Sequence, residues 1–186
     1  MNFRKIASSS LRWLAPVALF FVIAAAYFAP QFEGRVLAQH DVQQYGGMTS
    51  DILDSRERYG EDPQWTGRMF GGMPSYLINT YYPAEWIKHS VGQVVKVIDQ
   101  PASFVFFAMT AFWLMMLIFG VSPWVGMVAA LAYGLSTYFF LIIGAGHITK
   151  MWAAVYAPAM MGAIYMALIW TSSDSKMKVR KTEYLK

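Results

Sequence analysis

Four long apolar runs divide the chain, and none of them holds an Asp, Glu, Lys, Arg or His. They are residues 13–29 (WLAPVALFFVIAAAYFA), 102–119 (ASFVFFAMTAFWLMMLIF), 124–143 (WVGMVAALAYGLSTYFFLII) and 152–170 (WAAVYAPAMMGAIYMALIW). At about 1.5 Å per residue, roughly 20 helical residues cross a hydrocarbon core of about 30 Å, so each run predicts a transmembrane helix. The first two are slightly short, and a flanking side chain such as Arg12 can snorkel to the interface. Trp13, Trp124, Trp152 and Trp170 stand at run edges, where indole rings favour the membrane–water boundary. Pro158 lies inside the fourth run and predicts a bend there, which membrane helices tolerate.

The polar positions fall between and around these runs. The stretch 30–101, about 70 residues, far exceeds an ordinary connection and therefore implies structure or function. Within it TSDILDSRERYG (49–60) predicts a short helix with Thr49 or Ser50 as N-cap and Gly60 as its stop. Asp51 and Asp54 then read as acids favoured by the dipole of its first turn. After Pro83, residues 84–100 place Ile87, Val91, Val94, Val95 and Ile98 on one face and Lys88, Lys96 and Asp99 elsewhere. That pattern predicts an amphipathic helix lying in the membrane interface. Between the two lies DPQWTGRMFGGMPSYL (62–77), where Gly71, Gly72 and Pro74 permit tight turns. No internal repeat or low-complexity tract is present.

Composition strengthens the membrane reading. The 186 residues are 56% hydrophobic and 17% aromatic but only 14% charged, against about 25% charged in ordinary soluble domains. The expected class is an all-α polytopic membrane protein with four transmembrane helices and a large extracytoplasmic loop containing short amphipathic helices. The formal charge of +4 does not point to nucleic acid, because the basic residues gather at the chain ends beside apolar runs. Arg4, Lys5 and Arg12 precede the first run, while Lys176, Lys178, Arg180, Lys181 and Lys186 follow the fourth. The positive-inside rule thus puts the N-terminal segment 1–12 and the basic tail 171–186 in the cytoplasm. Loop 30–101 and the turn 144–151 then share the outer side. The competing reading of the start is a cleaved signal peptide ending near AAA at 24–26; it also leaves the loop outside. There is no cysteine, so neither a disulfide framework nor a Cys-based metal site exists.

Candidate chemistry sits on that outer side. In QHD (39–41), Asp41 follows the first run closely enough to act as a general base on a membrane-proximal substrate, or to ligate a divalent metal through oxygen. The bland alternative is a hydrated loop acid with His40 beside it. In GAGHITKMW (144–152), His147 and Lys150 are three apart, so one helical turn can present both to a phosphate headgroup. Their alternative is a cationic interfacial turn. Arg68 reads either as an anion contact or as a solvated loop charge. No Walker loop, dinucleotide fingerprint, zinc motif or nucleophile elbow is present. The absence of ionisable residues inside the runs argues against ion pumping, and only Thr110, Ser136 and Thr137 offer polar groups for a transporter.

The block LAQHDVQQYGGMTSDILDSRERYGEDPQWTGRMFGGMPSYLI and the later GAGHITKMWAAVYAP resemble YfhO-type bacterial membrane proteins, especially the forms found in Bacteroidetes. The likeness covers about residues 10–170, and members of that family are much longer. It implies a GT-C-like glycosyltransferase that moves a sugar from a polyprenyl-phosphate carrier on the outer face. By resemblance Asp41 takes the place of the loop acid and 84–100 that of an interfacial helix. From the residues themselves, His40, Arg68, His147 and Lys150 are the substrate-binding candidates and a divalent metal at Asp41 the candidate cofactor; the resemblance adds that His147 and Lys150 lie near the carrier phosphate. The resemblance further implies that this chain is the N-terminal portion of such an enzyme and inactive alone, its partners being the bilayer, the lipid-linked sugar and the remaining C-terminal part. The alternative is a non-catalytic membrane protein whose outer loop binds lipid headgroups or a protein.

Overall fold

The computed structural model describes residues 3–78, 86–95 and 97–183. It is built of helices: α1 (Phe3–Tyr27), α2 (Ala29–Phe32), α3 (His40–Tyr59), α4 (Trp86–Val95), α5 (Ala102–Ile118), α6 (Pro123–Gly134), α7 (Thr137–Ala145) and α8 (Ile148–Glu183). Between α3 and α4 the strands β1 (Trp65–Thr66) and β2 (Met73–Pro74) pair antiparallel, Trp65 opposite Pro74 and Thr66 opposite Met73.

The apolar runs become the packed body of the molecule. Helix α5 is apolar all round, as a helix enclosed by others must be, and it touches α1, α6 and α8. Its Phe104, Val105, Ala108, Met109 and Trp113 are buried together with Phe20 and Ala24 of α1, Phe139 and Ile142 of α7, and Met151 and Val155 of α8. Phe20 and Ala24 are one turn apart, which is the spacing that lines one helix face. A buried indole needs a partner for its N–H; Trp113 Nε1 donates to the Pro123 carbonyl at 3.0 Å. The Trp13 and Phe20 rings meet that indole edge-on at 6.3 and 6.4 Å.

By length and composition, among the described residues one helix is long and apolar enough to cross a membrane, the 22-residue stretch Ile148–Ile169 of α8. Helices α6 and α7 qualify only as a pair, and the apolar stretches Trp13–Tyr27 and Ala102–Ile118 are shorter. The expected continuous helix 124–143 is corrected: the chain breaks at Leu135 and Ser136 and bends by 42°. Gly134 is a weak helix former, and Ser136 and Thr137 compete for backbone bonds. Ser136 adopts φ −59°, ψ 130°, outside the helical region.

At Pro158, helix α8 continues. Proline has no N–H, so the Ala154 carbonyl one turn earlier loses its helical donor. The Tyr133 hydroxyl donates to that carbonyl at 2.8 Å instead.

Two expectations for the stretch 30–101 are also corrected. The helix expected over 49–60 begins at His40, so Thr49 and Ser50 are not caps. Their hydroxyls bond back to the carbonyls of Tyr45 and Gly47 at 2.9 and 3.1 Å, a geometry compatible with a continuing helix. Gly60 does end it, at φ 73°. The helix expected over 84–100 is the shorter α4. Residues 84, 85 and Lys96 lie outside the described residues, as do the side chains of Ile87, Lys88, Val91, Val94 and Val95. The same holds for the basic side chains near both ends on which the orientation rests.

Candidate functional site

The site is made where α3 begins against the turn between α7 and α8. Helix α7 ends in a Schellman motif. Gly146, at φ 94°, donates its N–H to the Ile143 carbonyl at 3.1 Å, and the His147 N–H reaches the Ile142 carbonyl at 3.0 Å. The chain thereby reverses, and the His147 carbonyl opens α8 by accepting from Met151 N–H at 3.0 Å.

The start of α3 is pressed onto this turn. Gln39 stands at its N-cap with no side-chain cap bond, and its amide donates instead to the Ile143 carbonyl. A Cβ added to Gly146 would lie 3.1 Å from Gln39 Cβ and 3.3 Å from both Asp41 Cβ and Val42 Cγ2. Only glycine combines this close approach with the left-handed backbone. Asp41 falls in the first turn of α3, where the helix dipole favours an acid.

These constraints bring Asp41 Oδ2 to 2.8 Å from His147 Nε2, with the two side chains 45% and 46% exposed. The distance is that of a charge-assisted hydrogen bond. Two residues singled out on separate segments therefore form one pair, and solvent still reaches both. The other candidates lie around it unequally. His40 is exposed beside Asp41. Lys150, one turn beyond His147, sits over the Tyr138 ring at 5.8 Å from its centroid, so His147 and Lys150 reach different elements.

Arg68 does not join them. It belongs to the hairpin, where its N–H bonds Thr66 Oγ1 at 3.3 Å. It neighbours Asp51, ten residues along α3 from Asp41 and hence about 15 Å away at the helical rise. Asp51 is a clamp in mid-helix, not a first-turn acid. Its carboxylate accepts from Thr66 Oγ1 at 2.8 Å and Gly67 N–H at 3.1 Å. Desolvation pushes the Asp51 pKa up, but the Thr66 hydroxyl, the Gly67 and Ile52 N–H groups and the Arg68 charge together bring it below the usual carboxylate value.

Beside the pair lies a feature that the linear sequence does not display. A groove of about 1390 Å³ is lined by Tyr27, Phe28, Arg35, Gln39, Trp152 and Tyr156, among others. Gln39 is thus both a wall of the groove and the neighbour of the pair. Trp152 and Tyr156, one turn apart on α8, stack at 5.6 Å with 19° between their rings. Gln31 closes another wall by donating to the Asp99 carbonyl at 2.8 Å and accepting from Ala102 N–H at 3.1 Å. Arg35 pairs with Glu33 at 3.2 Å, both well exposed. The signal for this groove was the aromatic edge of the first and fourth runs, which reads equally as an interfacial belt.

The donors at Asp41 do not amount to a divalent-metal site. Among the described residues no three His, Asp or Glu side chains gather, and one Asp41 oxygen is already held by His147. Oxygen-ligated cations need several such donors. No family model, curated protein or solved structure matches the chain.

Proposed function

We propose that the chain is the N-terminal membrane module of a GT-C-like glycosyltransferase, using a sugar linked to a polyprenyl-phosphate carrier on the outer face of a bacterial inner membrane. In this reading the apolar parts of α1, α5, the α6–α7 pair and α8 are four spans with both termini cytoplasmic. Loop 30–101 and turn 144–151 then face outward together. The observation that carries the reading is the Asp41–His147 pair at the edge of a large, mainly apolar groove. An amphiphilic substrate needs both parts, a channel for its chain and polar groups where that channel ends.

The carrier chain lies along Tyr27, Phe28 and Trp152, and its phosphate emerges towards the start of α8. The Asp41 oxygen that His147 leaves free accepts the proton of the acceptor hydroxyl as the acceptor oxygen bonds to the anomeric carbon. The bond from that carbon to the carrier phosphate breaks, and the phosphate departs with the electron pair. Lys150 offsets its charge. His147, expected at the phosphate, instead fixes the direction in which Asp41 presents its second oxygen.

The purified chain can be titrated with undecaprenyl phosphate and, separately, with phosphatidylglycerol by native mass spectrometry. Saturable preference for the former, weakened by Trp152→Ala, is the expected result. Equal retention of both lipids would remove the carrier from the reading.

A further inference from the structure

The segment WTGRMFGGMP takes no part in the pair or the groove. It forms the β1–β2 hairpin, and its surroundings make that hairpin stiff. Asp51 grips Thr66 and Gly67. Arg56 forks onto both oxygens of Asp62 at 2.7 and 2.8 Å, fixing the approach from α3. Gly72 closes against the Trp65 side chain: a Cβ added there would collide with Trp65 Nε1.

At the tip, Phe70 is 87% exposed and has φ 52°, a conformation few non-glycine residues adopt. Strained backbone of this kind persists where neighbours fix it, and it concentrates at functional positions. Here the strain holds a large apolar ring out in water. Trp65, Tyr76, Leu77 and Trp86 of the same loop are exposed as well. Trp and Tyr settle at the membrane–water boundary, and a cation beside them attracts anionic headgroups. Arg68 is that cation: its charge also acts on Asp51 at the base of the hairpin, while residues 67–73 themselves contain no acid.

We infer that the hairpin tip is a membrane-surface wedge, in which Phe70 inserts among outer-leaflet lipids and Arg68 meets an anionic headgroup. Lipid is the occupant because the exposed set is aromatic and cationic and because the chain's own apolar helices bring a bilayer beside the loop. The inference rests on the membrane part of the proposed function and not on sugar transfer.

The chain has no cysteine, so Phe70→Cys can carry a single NBD label, and Met69→Cys can carry one beside the native Phe70. Each protein is reconstituted into vesicles of equal parts phosphatidylcholine and phosphatidylglycerol and floated on a gradient. Quenching of both labels by doxyl lipids, with protection from iodide, is expected; a label at Glu57→Cys on α3 should be quenched by iodide. Arg68→Gln should reduce doxyl quenching of the Phe70 label in these vesicles but not in pure phosphatidylcholine. Free iodide access at both tip positions overturns the wedge. Shielding from both quenchers assigns the tip to a protein contact and overturns it too. Failure to float with vesicles overturns the membrane reading itself, and the wedge with it.

Discussion

Asp41 and His147, far apart in the sequence, meet at 2.8 Å because Gly146 lets the α7–α8 turn lie against the first turn of α3. Both partners are nearly half exposed, and exposed ion pairs are worth about 0.2–1 kcal/mol. Asp41→Asn and His147→Ala should therefore each lower stability in detergent by no more than about 1 kcal/mol. On the proposed function, Asp41→Asn should abolish sugar transfer in membranes that carry it out, while carrier binding persists. Transfer at the original rate would take Asp41 out of the chemistry.

Gly146→Ala should act in the opposite way, through structure. A side chain there meets Gln39, Asp41 and Val42 and is forced into the left-handed region, a combination costing on the order of 1–3 kcal/mol. Thermal unfolding reads that loss. Cysteines placed at Asp41 and His147 should also crosslink in lower yield with a short thiol reagent in the Gly146→Ala background. An unchanged yield would mean that the turn does not set the pair.

The Tyr133 hydroxyl stands in for the donor that Pro158 lacks. Tyr133→Phe leaves the Ala154 carbonyl unsatisfied in an apolar setting and should cost about 1–3 kcal/mol. In a Pro158→Ala background the helix supplies its own donor, and the same substitution should cost clearly less. A double-mutant cycle measured by unfolding in detergent decides it; strict additivity would mean that the two residues are not coupled.

Acid should loosen the hairpin before the helical body. The Arg56 hydrogen bond holds Asp62 below the usual carboxylate pKa, and Asp51 is also lowered, its hydrogen bonds and Arg68 outweighing desolvation. A depressed carboxylate contributes stability that is complete above its unfolded pKa, about 3.9, and is lost as pH falls through the folded value. Protection factors of the amides around Thr66 and Gly67, taken relative to intrinsic exchange at each pH, should accordingly fall below about pH 4. Thr66→Val should shrink that acid response, and an equal response in both proteins would point to another group.

The apolar helices were legible because length and the lack of charge govern them. Ala102–Ile118 lies within one residue of its expected run, and Trp152 and Ile169 both fall inside α8. The break at Leu135 and Ser136 was not legible, since two small hydroxyl residues inside an apolar run look no different from packing polar groups. The start of α3 was missed because Thr49 or Ser50 reads as a cap. Gln39 overrides that local preference by fastening the first turn to Ile143. Asp41, His147, Lys150 and Arg68 could each be named from residue type and spacing. Their grouping could not, because whether Arg68 joins Asp41 or Asp51 depends on how far along α3 the hairpin folds back.

The contacts that fasten α3 to the α7–α8 turn lie in its first turn, whereas Asp51 and Arg56, farther along, carry the hairpin. Such an element behaves as a lever held at its fulcrum. At about 1.5 Å per residue its 20 residues span about 30 Å, so a small displacement of the far end is delivered as torque on the few bonds around Asp41.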